Sequence, residues 1–183
     1  MPSPALAKDV KTYAFKLPGK GLFRNAAWTA EFGERGLRRL SVSEHGPRLK
    51  RGAVVSSGSD ARLDELKKVV RERLAGREAN VEFSTFDLEG APDFHYRVWK
   101  AMHRIPFGEV VTYGELAIDA GSPLASRACG QACGRNRILL LIPCHRVVAA
   151  SGLGGFGCGL HWKKALLKLE GYETEKSKRK GPA

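Results

Sequence analysis

No cysteine precedes Cys129, and the four in the chain, Cys129, Cys133, Cys144 and Cys158, all fall in its last third. Apolar runs are short as well: none approaches the roughly 18 residues of a membrane-spanning helix. The stretch Met1 to Lys8 lacks the apolar core of a secretion signal. The expectation is a protein with no membrane association that stays inside the cell, cytoplasmic, or nuclear in a eukaryote. Intracellular thiols are normally reduced, so a disulfide framework is not expected and the cysteines are left for metal binding or nucleophilic chemistry. Acidic residues are missing throughout Ala120 to Leu169. No internal repeat is visible.

What is present is a chain of 183 residues, 43% apolar and 27% charged, long enough for one domain or two small ones. Its 31 basic and 19 acidic side chains leave a net charge of +12. Such an excess points to a polyanion, a nucleic acid or an anionic membrane surface, and composition does not choose between them. The acid-free stretch holds Arg127, Arg135, Arg137, Arg146, Lys163, Lys164 and Lys168, so any surface it forms is expected to be uniformly positive. It is too apolar to be a solvated tail, which favours contact with nucleic acid.

In the first half, Trp28 to Phe32 and Leu37 to Ser43 flank Gly33-Glu34-Arg35-Gly36 and read as a β-hairpin with a four-residue loop. Leu63, Leu66, Val70 and Leu74 then recur at helical spacing behind Ser59 as N-cap, and Val81 to Leu88 reads as another strand. Glu89-Gly90-Ala91-Pro92 marks a domain boundary. Beyond it Asp93 caps a helix carrying Phe94, Val98, Trp99 and Met102, which stops at Ile105-Pro106.

Two helix starts follow closely. Thr112-Tyr113-Gly114-Glu115 is a capping box, and Gly121 closes that short helix. Ser122 and Pro123 open the next, which runs to about Arg135, so the pair reads as a helix-turn-helix. The second helix carries Ala125, Ala128, Gly130, Ala132 and Gly134. So low a surface suits close approach to a DNA groove or close packing on a neighbouring element, and composition leaves both open. Ile138 to Ile142 reads as a buried strand leading into Pro143-Cys144-His145-Arg146-Val147. A cysteine beside a histidine fits a nucleophile with its base, although such pairs are more often structural.

The segments Arg97-Val98-Trp99, Ile105-Pro106-Phe107-Gly108-Glu109, Thr112 to Ala117, Gly121-Ser122-Pro123, Ser126-Arg127-Ala128, Asn136, Ile142 to Val147 and Leu166 to Gly171 together resemble the O6-alkylguanine-DNA alkyltransferases, the methylated-DNA–protein-cysteine methyltransferases. The resemblance covers residues 93 to 171 in consistent order; the first 90 residues match only in general layout. It implies an α/β fold: an α+β N-terminal domain (1–90) with a hairpin sheet and helix, and a mainly helical DNA-binding and alkyl-acceptor domain (91–172) with the helix-turn-helix; the polar composition of 173–183 reads as a disordered basic tail.

The function it implies is transfer of an alkyl group from guanine O6 in double-stranded DNA to Cys144, once per molecule and without cofactor, by a protein expected to be a monomer. Free thiols ionise only slightly at neutral pH. By the family pattern His145 therefore takes the proton of Cys144 through a water, and Glu170 holds the other imidazole nitrogen. Tyr113 is implied as proton donor to the leaving guanine, and Asn136 as the hinge that braces the active turn. Arg127 is implied as the finger that fills the stack when the nucleotide is flipped out, with Tyr113, Gly114, Ser122, Ala128 and Arg135 also meeting DNA in the minor groove. Val147, Phe156, Gly157 and Cys158 would line the alkyl pocket.

The chain departs from the family pattern at His95 and Arg137, where Gln and Pro are usual, and at Phe156 and Cys158, where Tyr and Gly are usual. The last two bear on which alkyl groups fit. With only His45 and no cysteine in the first half, no structural zinc is expected. Gly152 to Gly157 fits a dinucleotide fingerprint but lacks the strand and acid that should follow, so it reads as a substrate loop. Cys129 and Cys133, four apart on a helix, suit packing better than metal, and Lys176 to Lys180 reads as a solvated cluster. The competing classes are a DNA-binding module without chemistry, which Cys144 argues against, and a thiol hydrolase, which would need no basic helix-turn-helix.

Overall fold

The computed structural model describes residues 10–47, 49 and 55–172; the tail 173–183 and the cluster Lys176 to Lys180 lie outside them. The chain opens with three antiparallel strands in sequence order, β1 (Lys11–Lys16), β2 (Ala27–Phe32) and β3 (Leu37–Ser43). β2 is central and buried along its whole length. The β2–β3 hairpin forms where the sequence places it, with Gly33 N–H donating to Gly36 C=O at 2.9 Å across the loop. Only glycine fits at 36: φ is +141°, and a Cβ would lie 2.0 Å from the Thr85 carbonyl oxygen.

α1 (Ala61–Leu74) buries Leu63, Leu66, Val69, Val70 and Leu74 on one face, the stripe that the spacing predicts. Its N-cap is Asp60 rather than Ser59: the carboxylate accepts from Arg62 N at 3.0 Å and from Tyr13 Oη at 3.0 Å, which also ties the helix to β1. Residues 81–88 are not a strand. Phe83–Thr85 is a turn of 3-10 helix and only Phe86 bridges, to Leu37. Phe83 is held instead by edge-on packing against Phe86, Tyr96 and His103, a three-dimensional preference that overrides the apolar run.

The second half is mainly helical: α2 (Asp93–His103), a two-residue β4 (Val111–Thr112), α3 (Tyr113–Asp119), α4 (Ser126–Gly134), β5 (Val147–Val148) parallel to β4, and α5 (Leu160–Leu169). Asp93 is the first residue of α2 and not its cap, a position taken by Pro92. The capping box of α3 is complete, with Glu115 accepting from Thr112 N at 2.6 Å and Thr112 Oγ1 accepting from Glu115 N at 3.2 Å. α4 begins three residues later than Ser122 as cap and Pro123 as first-turn residue suggest. Ser122 C=O instead accepts from Ala125 N at 2.9 Å, closing a turn that separates the two helices.

Close packing is the use of the small residues on α4 that the structure displays. Cys129, Ala132 and Cys133 are buried, and Ala132 C=O accepts from Trp99 Nε1 of α2 at 2.8 Å, while Arg127 and Gln131 stay exposed. One apolar core runs through both halves, from Trp28 and Leu40 to Val98, Ile142 and Leu166. No helix is long and apolar enough to cross a membrane among the described residues.

Candidate active site

Ile138 to Ile142 is not a strand. Ile138 bridges Leu40 and the rest is a series of turns, with Leu140 at φ +71°, a left-handed conformation that a leucine rarely takes. Five apolar residues satisfy burial equally well in a buried turn, provided that their backbone groups find partners. Asn136 supplies two. Its amide donates to Ile142 C=O at 2.7 Å, and its Oδ1 accepts from Ile138 N at 3.0 Å. The same amide donates to the sulfur of Cys144 at 3.3 Å, so the residue that braces the turn also touches the thiol.

Cys144 opens a turn of 3-10 helix over Cys144–Arg146 that leads into β5, and is 7% exposed. Burial pushes its thiol up to about 11, opposed by the Asn136 amide and by the Lys163 charge. His145 is fully buried, with Nε2 2.8 Å from Glu170 Oε1. A carboxylate only accepts, so Nε2 carries the hydrogen and Nδ1 holds the lone pair. Nδ1 is buried without a hydrogen-bond partner. Burial also lowers the imidazole pKa against the pull of Glu170, which keeps the ring neutral at pH 7.

Glu170, the C-cap of α5, is held at about 2: burial would raise it, but hydrogen bonds from His145 and Arg146 outweigh that. Arg146 donates from Nε to Oε2 at 2.8 Å and from Nη2 to Oε1 at 2.9 Å, and from Nη1 to Ile105 C=O at 2.6 Å. Arg146 and Lys163 therefore are not part of a positive surface, as the acid-free stretch suggests. Both are buried, and their partners come from segments far away in sequence, a pairing that no local pattern reveals. Lys163 Nζ donates to the carbonyls of Val147, Leu153 and Gly155, and burial lowers it to about 8.

Tyr113, the first residue of α3, is half-buried between Gly130 of α4 and Gly154 of the glycine-rich loop, and burial raises its phenol. A Cβ at Gly154, where φ is +67°, would lie 3.0 Å from the Tyr113 ring, which explains a glycine there. Of the expected alkyl-pocket residues, Val147 is buried behind the turn, Phe156 and Cys158 are half-buried and Gly157 is exposed; Cys158 is close enough to act electrostatically on Cys144. Of the expected DNA contacts, Arg127 and Arg135 are exposed at opposite ends of α4, with Gly114, Ser122 and Ala128 half-buried nearby.

A groove of about 760 Å³ lies elsewhere, between the hairpin, α1 and residues 80–86, with Leu141 at one wall, and contains none of these groups. Among the described residues, no cluster of three or more His, Cys, Asp or Glu could hold a metal ion.

A family model described as 6-O-methylguanine DNA methyltransferase, DNA binding domain, matches residues 93–172. A methylated-DNA–protein-cysteine methyltransferase of Mycobacterium bovis is 50% identical over 93 residues, 49% of this chain and 56% of that protein. One of Methanosarcina barkeri is 48% identical over 114 residues, 58% of this chain and 71% of that protein. In sequence, then, the chain spans little more than half the length of the mycobacterial relative. The crystal structure of Mycobacterium tuberculosis OGT in complex with DNA is similar over 88% of this chain and 92% of that one, with a TM-score of 0.72 at 34% identity, and so takes in the N-terminal half as well.

Proposed function

This chain belongs to the methylated-DNA–protein-cysteine methyltransferase family, and on that footing we propose that it repairs DNA by moving the alkyl group of O6-alkylguanine irreversibly onto its own Cys144, once per molecule. The observation that carries the reading is the lone-pair nitrogen of His145. Glu170 fixes the tautomer, and Nδ1 is left buried, neutral and unpartnered in the residue next to the thiol. That is a general base in waiting.

The resting thiol keeps its proton, since burial disfavours the anion. In the reaction the proton passes to His145 Nδ1, through a water, as sulfur attacks the alkyl carbon. The C–O bond breaks as the C–S bond forms, and the guanine departs with the electron pair. Tyr113, whose raised pKa keeps its phenol protonated, gives the guanine ring a proton. The imidazolium is stabilised by Glu170, which Arg146 keeps ionised and in place. Asn136 holds the turn and donates to the sulfur. The product thioether has no good leaving group, so the chemistry stops there.

DNA is taken as partner on the exposed side of α3 and α4. Arg127 enters the stack in place of the flipped nucleotide, and Tyr113, Gly114, Ser122, Ala128 and Arg135 border the minor groove, whose width of about 6 Å suits a helix of small residues. Val147, Phe156, Gly157 and Cys158 shape the alkyl pocket. We take the protein as a monomer without cofactor that works inside the cell. Residues 1–90 and 91–172 are read as two domains that share a core.

Intact mass after incubation with a duplex containing one O6-methylguanine tests the reading. One methyl increment per molecule, with no further increase in excess substrate, is expected. Binding without any gain in mass would make the chain a lesion-binding protein without transfer, and repeated turnover would make it a conventional enzyme.

A further inference from the structure

A guanidinium carries its N–H groups in one plane and presents flat, weakly hydrated faces above and below it. In Arg146 the edge is engaged: Nε and Nη2 fork onto the two oxygens of Glu170, and Nη1 donates to Ile105 C=O. A face meets the half-buried ring of Phe107, whose centroid lies 5.5 Å from the guanidinium carbon. The same ring lies 5.8 Å from the guanidinium carbon of Arg73, on α1. Arg73 is 9% exposed; its Nε donates to Ala79 C=O at 3.0 Å, while Nη1 is buried without a hydrogen-bond partner. Where acceptors run out, the negative face of a ring is what a buried guanidinium can lean on.

Phe107 belongs to a short loop that touches the Arg146–Glu170 pair at three points. Ile105 C=O accepts from Arg146 at 2.6 Å, the Phe107 ring covers the guanidinium, and Gly108 N–H donates to Glu170 Oε2 at 3.4 Å. The end of α1 closes on the same place, so near that a Cβ at Gly76 would lie 2.7 Å from the Leu169 carbonyl oxygen.

We propose that Phe107 is a positioning residue for the base: pinned by Arg73 of the N-terminal half, its ring holds the Arg146 guanidinium in the plane from which it grips Glu170, and so steadies the carboxylate that selects the His145 tautomer. A fork of two parallel hydrogen bonds demands that guanidinium and carboxylate stay aligned. With the face uncovered, Arg146 is free to tilt, Glu170 loses its setting, and a hydrogen on Nδ1 of His145 competes with one on Nε2. The N-terminal half thereby reaches the reacting groups through one ring.

The inference rests on His145 as the base, and its first readout needs neither DNA nor a lesion. Long-range ¹H–¹⁵N NMR of histidine-labelled protein shows which ring nitrogen of His145 carries the hydrogen, expected to be Nε2 alone in the wild type. Phe107→Leu keeps apolar bulk but has no ring face; mixed tautomers are expected, with alkyl transfer to Cys144 slower by roughly tenfold to a hundredfold. Phe107→Tyr, which keeps the ring, is expected to restore both. The wild-type tautomer in a folded Phe107→Leu overturns the proposal. So do mixed tautomers in Phe107→Tyr, since the ring face would then not be what matters.

Should Phe107→Leu fail to fold, Arg73→Met decides. It leaves the ring and removes its anchor, so mixed tautomers are expected, and the wild-type tautomer there overturns the proposal. A wild-type protein that transfers no alkyl group would sink the assigned function and leave the tautomer readout intact, so the two readings fail separately.

Discussion

His145 and Arg146, neighbours in the chain, hold the same carboxylate from two sides: Glu170 Oε1 lies 2.8 Å from His145 Nε2 and 2.9 Å from Arg146 Nη2. The pairing assigns two duties to one residue. Glu170 fixes the imidazole tautomer and balances a guanidinium that is almost wholly out of water.

Glu170→Gln separates those duties from simple packing. It keeps the shape but leaves Arg146 buried without its counter-charge, and breaking a buried pair in this way typically costs about 3–5 kcal/mol. Denaturant unfolding should show a loss of this order. Alkyl transfer should slow and the pH at which it rises should move upward, with DNA affinity little changed. An unaltered rate–pH profile would remove Glu170 from the chemistry.

Acid should unfold the protein by way of the same residue. The folded-state pKa of Glu170, about 2, lies below its ordinary 4.5. Its stabilisation, about 3 kcal/mol for a shift of this size, is complete above pH 4.5 and lost as pH falls towards 2. His145, buried neutral with its pKa lowered from 6.5, acts in the same direction and begins earlier, below that value. Stability measured from pH 7 to pH 3 should fall in two steps, and Glu170→Gln should flatten the lower one.

Cys144→Ala and Cys144→Ser should abolish transfer while DNA binding persists, because the phosphate contacts proposed above are assigned to the exposed side of the helix pair and not to the buried thiol. Cys133, buried like Cys144, has the Met102 sulfur as partner at 3.4 Å where Cys144 has the Asn136 amide at 3.3 Å and a histidine as its chain neighbour. Peptide mapping that placed the alkyl group on Cys129, Cys133 or Cys158 would falsify the assignment.

Arg127→Ala should impair repair of a duplex more than transfer from the free alkylated base, since only the duplex leaves a gap in the stack to be filled. Its position in the first turn of α4, exposed and flanked by Ser126 and Ala128, is what such a role requires. Rates on both substrates decide the matter. Equal losses would mean that the arginine supports the pocket. Neutralising a residue that merely meets a phosphate should instead lower the salt slope of binding by about 0.9.

Some local signals carry straight from the sequence into the structure, whereas the helix starts expected from Ser59, Asp93 and Ser122 are displaced by one or more residues. The Gly33–Gly36 hairpin, the stripe on α1 and the Thr112–Glu115 box each depend on residues a few positions apart, and each forms as expected. The strand expected over 138–142 failed because an apolar run reports burial and not backbone conformation. Asn136 folds that run into turns, with Leu140 left-handed. The strand expected over 81–88 gave way to ring packing with residues of α2.

Arg146 and Lys163 were legible as charges but not as buried ones. Their partners, Ile105, Glu170 and the loop carbonyls, are joined to them only by the tertiary fold. Arg146 stands inside the Pro143–Val147 motif, so its place beside the reacting pair was the one available hint.

Leu40 in β3 donates its N–H to Arg137 C=O at 2.9 Å and accepts from Leu139 N at 3.0 Å. The open edge of the N-terminal sheet is thereby sealed by the segment that leads to the nucleophile. Were the first half removed, an amide hydrogen and a carbonyl would be left unpaired a few residues from the reacting sulfur, so the two halves are expected to melt as one cooperative unit. Amide hydrogen exchange at Leu40 and Leu139 should then report global unfolding rather than a local opening. A substitution anywhere along β3 would act on the nucleophile's mounting from a distance, without touching DNA or the alkyl group.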